Sequence, residues 1–230
     1  MAPLLLLPGL SSTPELWDDV RAALPVGIAC TALEFPALDD VDAIAERVLE
    51  DAPPRFALAG FSFGGYVALA IAARAGHRID RLALVSTGPN ADAPEAAANR
   101  VRLIELAQSG GYASIDAKLT RLLLHPDHQD DPAIMEKRVR MSRDYGIERY
   151  VAHQRAAMRR PDRNATLATI RFPAMVAVGR EDLVTPLARN EEMARRLPAA
   201  DFTIFERCGH LSPLETPVKL AAAITHWMTQ

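Results

Sequence analysis

Short apolar runs alternate with amphipathic stretches over the first ninety residues. Every position is apolar in the run 4–7, and similar runs follow at 26–33, 56–59 and 81–86. Such runs are typical of parallel strands that are covered on both faces. Between them apolar residues recur at helical spacing, as in the stripe that follows Asp39 and Asp40. This β-α-β-α alternation predicts a right-handed, doubly wound parallel sheet.

The alternation stops at about residue 91 and resumes at about residue 169. Between these points no strand pattern occurs, and glycines or prolines separate the helical runs 95–108, 115–124, 132–145 and 147–158. Two further strands are then predicted, at 174–178 and 202–205, with helices at 187–197 and 217–228. We therefore expect an α/β core formed by 1–90 and 169–230, and an inserted helical lid formed by 91–168.

Composition narrows the possible functions and locations. The chain has 230 residues, of which 49% are apolar and 24% charged, as in a soluble globular protein. Its net charge of −3 gives no reason to expect nucleic acid or a membrane as a partner. The spacing of Cys30 and Cys208 suggests no metal site or redox pair. The apolar run 4–7 is too short for a signal peptide, so a cytoplasmic location is expected.

The most informative stretch is Gly60-Phe61-Ser62-Phe63-Gly64, which lies between a predicted strand and a predicted helix. A G-x-S-x-G sequence in that context predicts a nucleophile elbow, a sharp turn with the serine at its tip. An ordinary strand-to-helix turn is the alternative. The two interpretations differ in one requirement, since a serine nucleophile needs a histidine base and a carboxylate that orients it.

Two candidate partners follow later strands of the predicted sheet. Asp182 follows the strand 174–178, and His210 follows the strand 202–205. Loops after the carboxyl ends of parallel strands meet at one edge of a sheet, and Ser, Asp, His is the chain order of α/β-hydrolases. Glu181 competes with Asp182 for the carboxylate role. Surface or packing roles are expected for the other five histidines: His77, His125, His128, His153 and His226.

An oxyanion intermediate would need two backbone N–H donors. One is expected from Phe63, the residue after the nucleophile, and the other from Leu10 in the loop after the first strand. Ser11 or Ser12 could supply additional donors.

The chain resembles α/β-hydrolase-fold proteins throughout its length. The matching motifs are Pro8-Gly9 with Trp17, Gly60 to Gly65, Gly179 to Asp182 with Thr185-Pro186, and Cys208-Gly209-His210. The resemblance implies a hydrolase that needs no cofactor, acts on esters or on thioester, lactone, amide or carbon–carbon bonds, and has a helical cap.

The chain also departs from the family pattern. Pro8 stands where many relatives have histidine, and the sequence begins at the family's third strand, so a six-stranded sheet is expected. Ser62 stands where dehalogenase relatives have aspartate, which argues against dehalogenation.

Together these features predict a carboxylic ester hydrolase for small-molecule esters with small or medium acyl groups. The alternatives are a carbon–carbon bond or thioester hydrolase, with an anionic substrate met by a lid arginine, and a ligand receptor or lyase of the same fold. Seven residues are expected to line the substrate pocket: Ser11, Phe61, Leu123, Met141, Tyr145, Val184 and Leu211.

Overall fold

A single six-stranded sheet organises the protein in its computed structural model. The structure describes the backbone of residues 1–230 and all side chains except those of residues 116 and 117. Every neighbouring pair of strands is parallel, in the order β2-β1-β3-β4-β5-β6. This confirms the predicted doubly wound sheet. The strands are β1 (Leu4–Leu7), β2 (Cys30–Ala32), β3 (Phe56–Phe61), β4 (Ile79–Val85), β5 (Ala174–Gly179) and β6 (Ala200–Phe205).

Helices connect the strands and cover both faces of the sheet. Those of the α/β alternation are α1 (Asp18–Ala23), α2 (Val41–Asp51), α3 (Phe63–Ala75), α8 (Leu187–Arg196), α9 (Ser212–Glu215) and α10 (Pro217–Thr229). Those between β4 and β5 are α4 (Pro94–Leu106), α5 (Tyr112–Leu123), α6 (Pro132–Arg159) and the short α7 (Asn164–Leu167). We call α4, α5 and α6 the insertion helices. Among the described residues, no helix is both long and apolar enough to cross a membrane.

The all-apolar first strand is buried on both faces, as its sequence predicts. Side chains alternate across a strand, so Leu4 and Leu6 pack with Trp17 and Trp227, which come from the α1 and α10 side of the sheet. Leu5 and Leu7 join the opposite core with residues of α2 and α3. The central strands β1, β3 and β5 are buried at every position, whereas the edge strands β2 and β6 are only partly covered.

The second strand is shorter than the apolar run predicts. The expected strand at 26–33 begins only at Cys30. The residues before it form a turn, in which the Ile28 N–H donates to the Pro25 carbonyl at 2.9 Å, and Val26 is fully exposed. Proline and glycine on either side of Val26 therefore outweigh its β-branched side chain.

A bend in α6 brings its two halves to different parts of the molecule. Gly146 has φ 76°, a left-handed conformation that glycine adopts without steric strain. The sequence predicts a break at this glycine, and the bend lies there. The insertion helices have a small core of their own, formed by Ile104, Ala107, Ile115, Tyr145, Tyr150 and Val151.

Candidate active site

Ser62 lies at the tip of a sharp turn between β3 and α3. Its backbone has φ 50° and ψ −113°, which is strained for a residue with a side chain. The turn is held from the β4 side, because the Ser62 N–H donates to the Val85 carbonyl at 2.9 Å and the Thr87 hydroxyl donates to the Ser62 carbonyl at 2.8 Å.

The two glycines that flank Ser62 are required by close backbone contacts. A Cβ on Gly60 would lie 2.5 Å from the carbonyl oxygen of Gly64, and a Cβ on Gly64 would lie 2.5 Å from that of Leu7. Real Cβ atoms do not approach so closely. The G-x-S-x-G spacing therefore allows the chain to turn back beside β1 with the Ser62 side chain projecting outward.

The structure brings Ser62, His210 and Asp182 into one line of hydrogen bonds. His210 Nε2 lies 2.9 Å from the Ser62 Oγ, and His210 Nδ1 lies 2.9 Å from Asp182 Oδ2. The histidine is 4% exposed and the aspartate 2% exposed, so both are shielded from bulk water. Glu181 faces elsewhere, because its side chain accepts from the Cys208 N–H at 3.0 Å. The geometry therefore favours Asp182 over Glu181 as the partner of His210.

Asp182 is a buried carboxylate that is well supplied with donors. Its Oδ1 accepts from the N–H groups of Val184 and Thr185, both at 2.8 Å, and its Oδ2 also accepts from the Thr185 hydroxyl at 2.7 Å. Burial raises the pKa of this carboxyl, but the neighbouring His210 and the Thr185 donors outweigh burial and hold the pKa below its usual value. Asp182 therefore stays ionised at neutral pH, which fixes the Nδ1–H tautomer of His210.

The expected oxyanion donors have no competing acceptor. Within the described part of the chain, the N–H groups of Leu10 and Phe63 make no hydrogen bond. Phe63 is the first residue of α3, where an N–H has no acceptor within the helix. The Ser12 N–H donates to the Gly9 carbonyl at 3.3 Å, and the Ser11 N–H interacts with the Tyr145 hydroxyl. The additional donor suggested for Ser12 is thus used elsewhere, and that of Ser11 faces Tyr145.

A cavity of about 270 Å³ lies against Ser62, between the core and the insertion helices. Its wall includes Leu10, Phe63 and His210, together with five of the seven predicted pocket residues: Ser11, Phe61, Leu123, Val184 and Leu211. Leu123 is the last residue of α5, and the other four belong to the core. These five therefore line the same cavity as Ser62.

Met141 and Tyr145 lie outside the cavity lining, contrary to the prediction. Met141 is fully buried in the core that contains Trp17, and the Tyr145 hydroxyl is hydrogen-bonded to His153 Nδ1. Both belong to α6, and an apolar stripe on a helix does not reveal which of its members faces a cavity and which faces the core.

The cavity wall also contains residues that sequence analysis did not single out. Tyr66 lies four residues after Ser62 on α3, one helical turn away, and this spacing could have identified it. The insertion helices contribute polar groups whose facing no sequence signal gives: Asn99, Arg100, Arg138, Tyr150 and Gln154.

Glu215 is a second buried carboxylate near the site, and sequence analysis did not single it out. Its fully buried side chain accepts from the N–H groups of Gly209 and Leu211, both at 3.1 Å, on either side of His210. It also accepts from the His125 N–H at 2.8 Å and lies 3.0 Å from His128 Nδ1. Glu215 thus ties the loop of His210 to the segment that follows α5.

Comparisons with known proteins agree with this architecture. The model of the alpha/beta hydrolase family matches residues 4–223. Pimeloyl-[acyl-carrier protein] methyl ester esterase of Nitrosomonas europaea is 27% identical over 93% of this chain and 90% of that protein.

Solved structures give the same result. A thermophilic esterase from Thermogutta terrifontis, solved with malate bound, superposes with a TM-score of 0.89 at 27% identity, covering 100% of this chain and 90% of that one. The enol-lactonase of Burkholderia xenovorans shares the fold, with a TM-score of 0.89 at 21% identity over 100% of this chain and 92% of that one. The match of the family model over nearly the whole sequence shows that the chain belongs to the alpha/beta hydrolase family.

Proposed function

We propose that this protein is a serine hydrolase that cleaves carboxylic esters of small or medium acyl groups. The observation that carries the proposal is the line of hydrogen bonds from Ser62 through His210 to Asp182, beside a cavity and two unoccupied backbone donors. Relatives named as esterases, one aligned over most of its sequence and one over most of its fold, support the same reaction class.

In the first step His210 Nε2 takes the hydroxyl proton of Ser62 while Oγ attacks the ester carbonyl carbon. The carbonyl oxygen becomes an oxyanion, which the N–H groups of Leu10 and Phe63 bind. Asp182 holds the resulting imidazolium through its Nδ1–H. The proton then passes from Nε2 to the alkoxide leaving group as the carbon–oxygen bond breaks, which leaves an acyl group on Ser62.

In the second step water replaces the alcohol. His210 removes a proton from the water, whose oxygen attacks the acyl carbon, and the same two N–H groups bind the second oxyanion. Collapse of that intermediate returns the proton to Ser62 Oγ and releases the carboxylic acid. Residues 91–168 serve as the lid, since α4, α5 and α6 supply the wall opposite Ser62.

The size and character of the cavity support the acyl preference. A volume of about 270 Å³ is small for a ligand site, and the insertion wall contributes the apolar side chains Leu103, Leu119 and Leu123. A short or medium aliphatic chain fits such a space, whereas a long fatty acyl chain exceeds it.

Labelling with a fluorophosphonate tests whether Ser62 is an activated nucleophile. We expect stoichiometric labelling of the wild type, none of Ser62→Ala, and full labelling of Ser86→Ala, a control at another buried serine. Turnover of p-nitrophenyl esters should peak between acetate and hexanoate and fall sharply by dodecanoate. A wild-type protein that is folded but not labelled would contradict the proposal and indicate a ligand receptor or lyase of this fold.

A second candidate, a carbon–carbon bond hydrolase for an anionic substrate, is favoured by the charges beside the cavity. Arg100 lines the cavity and donates to Asp92 at 2.5 Å, and Arg160 donates to the same carboxylate at 2.6 Å. Two guanidinium groups thus share one carboxylate, which leaves a net positive charge in this cluster.

Comparing p-nitrophenyl butyrate with an anionic vinylogous diketone separates the two candidates. The ester hydrolase proposal predicts a kcat/KM for the ester at least a hundred times that for the diketone, by order of magnitude. The reverse ratio, lost in Arg100→Met, would favour the second candidate.

A further inference from the structure

We propose that Tyr145 and His153 are positioning residues, which fix the backbone at Leu10 and Phe63 from the side away from the cavity. This inference rests on the oxyanion-donor roles proposed above for Leu10 and Phe63. Neither side chain lines the cavity. Both belong to α6, and they act through the residues beside them in space, Ser11 and Phe63.

The hydrogen bonds of His153 run in one direction. Its Nε2 lies 2.7 Å from the carbonyl oxygen of Pro36. A carbonyl only accepts, so Nε2 carries the proton and Nδ1 is an acceptor. The Tyr145 hydroxyl therefore donates to Nδ1, and its oxygen faces the Ser11 N–H. A directed chain thus leads from the loop of the first oxyanion donor to the backbone at Pro36.

This chain requires both side chains to be neutral, and burial makes them so. His153 is fully buried, which lowers its pKa to about 4; the Pro36 carbonyl opposes this shift and Arg149 adds to it. Burial also raises the pKa of the Tyr145 hydroxyl far above its usual value. An imidazolium would lose the acceptor at Nδ1, so the arrangement depends on a neutral ring.

Ser11 needs such an anchor because its backbone is strained. Its φ is 52°, in the left-handed region that residues with side chains rarely adopt. The Ser11 carbonyl accepts from the Arg138 guanidinium at 3.0 Å, and its N–H faces Tyr145. Both polar backbone groups of Ser11 are therefore held by side chains of α6. Leu10, the preceding residue, keeps its N–H free for substrate.

The same imidazole also supports the second donor residue. The ring of His153 stacks on that of Phe63 with centroids 4.9 Å apart and an angle of 22° between the planes. Phe35 packs edge-on against both rings, with centroids at 6.0 and 6.1 Å. One side chain therefore contacts Phe63 directly and the Leu10 loop through Tyr145.

The bend at Gly146 makes this contact possible. Tyr145 and His153 are eight positions apart, and in a straight helix they would be displaced by about 12 Å along the axis. The left-handed conformation of Gly146, φ 76°, changes the helix direction directly after Tyr145. The bend thus lets two residues of one helix hydrogen-bond to each other next to the oxyanion site.

Tyr145→Phe and His153→Phe test this inference. The first removes only the hydroxyl, and the second keeps an aromatic ring over Phe63 while it removes both hydrogen bonds. Tyr112→Phe is the matched control, because it deletes a hydroxyl that donates to the Ser142 carbonyl at 2.9 Å within the insertion helices. Circular dichroism and thermal unfolding establish that each variant is folded.

For both test variants we expect kcat with p-nitrophenyl butyrate to fall roughly tenfold, less than the 10²–10³ lost when an oxyanion donor is deleted. KM should change less than twofold. The affinity for a trifluoromethyl ketone, whose adduct places an oxyanion in the site, should fall by the same factor as kcat. Tyr112→Phe should leave all three quantities within twofold of the wild type.

Amide hydrogen exchange at Ser11 gives a measurement that does not depend on turnover. It should be at least ten times faster in Tyr145→Phe than in the wild type or in Tyr112→Phe. Unchanged exchange at Ser11, or unchanged kcat and ketone affinity in a folded Tyr145→Phe, would overturn the positioning role. A wild type that hydrolyses no ester while Ser11 exchange still responds would instead overturn the proposed function alone.

Discussion

The two sides of Ser62 are held by opposite kinds of chemistry. On the side of the proposed base, which we call the base side, His210 is hydrogen-bonded to Asp182, an ionised carboxylate that accepts three further hydrogen bonds from its own loop. On the oxyanion side, the loop of Leu10 is backed by Tyr145 and His153, a buried pair whose pKa shifts keep both groups neutral.

This difference follows from what each side has to do in the proposed reaction. The base side must stabilise an imidazolium that forms during catalysis, so a buried negative charge is useful there. The oxyanion side must keep its donors in place where negative charge develops, and a permanent negative charge behind them would repel that new charge. The neutral pair Tyr145 and His153 fixes the geometry without adding negative charge, and the one charged group on the Ser11 carbonyl, the Arg138 guanidinium, is positive.

Replacing the charge on the base side should have the largest effect. In Asp182→Asn the amide cannot select the Nδ1–H tautomer of His210, so we expect kcat to fall about 10⁴-fold with little change in KM. Steady-state kinetics on p-nitrophenyl butyrate measures this effect. Glu181→Gln is the matched control and should stay within threefold of the wild type, because its side chain can still accept from the Cys208 N–H. Equal losses in the two variants would contradict the assignment of Asp182.

Lowering the pH should reduce the free energy of unfolding, because the folded protein keeps His153 neutral. The pKa of His153 is lowered from 6.5 to about 4, so between these values the unfolded chain binds a proton that the folded chain does not. The stabilising contribution is complete above about pH 6.5 and is lost as the pH falls toward 4, by up to roughly 3 kcal/mol.

Urea unfolding at pH 7, 6, 5 and 4.5 should show this loss as a slope. In His153→Gln the slope should be shallower than in the wild type by the contribution of this one group. His77→Gln, at an exposed histidine, is the control and should follow the wild-type slope. Parallel curves for the wild type and His153→Gln would show that the ring is not held neutral.

A smaller effect should come from Glu215, the carboxylate behind His210. Its oxygens accept from the N–H groups on both sides of His210, and an amide would turn one acceptor into a donor that faces those N–H groups. We expect Glu215→Gln to lower the free energy of unfolding by about 1–3 kcal/mol. Chemical denaturation measures this, with Glu206→Gln as the control at an exposed carboxylate. An unchanged midpoint would show that Glu215 does not hold the loop.

Local patterns in the sequence predicted that Ser62, Asp182 and His210 lie together, and the structure places them in one line of hydrogen bonds. The elbow at Ser62 and the loops of Asp182 and His210 each follow a predicted strand, and strand ends of a parallel sheet converge wherever the connecting helices lie. The turn at Pro25 shows the limit of such patterns, since the apolar stretch 26–33 suggested a strand of eight residues and only three of them form one.

The oxyanion side was only partly predictable. The proposed donors Leu10 and Phe63 follow from their positions after β1 and Ser62, but their proposed support by α6 depends on contacts between residues more than eighty positions apart. Tyr145 was expected in the cavity because helical spacing shows which residues share a face of α6, but not whether that face points to the cavity or to the core. The bend at Gly146 rotates that face, and a glycine in a sequence marks a break without fixing its angle.

The left-handed backbone at Ser62 has a consequence for how this protein can change. A residue with a side chain in such a conformation costs about 1–3 kcal/mol, and glycine would relieve most of that strain. The position that carries the proposed nucleophile is therefore one where greater thermal robustness and chemical activity oppose each other. Selection for thermal stability alone, without an assay of turnover, would therefore favour stable but inactive variants at this residue.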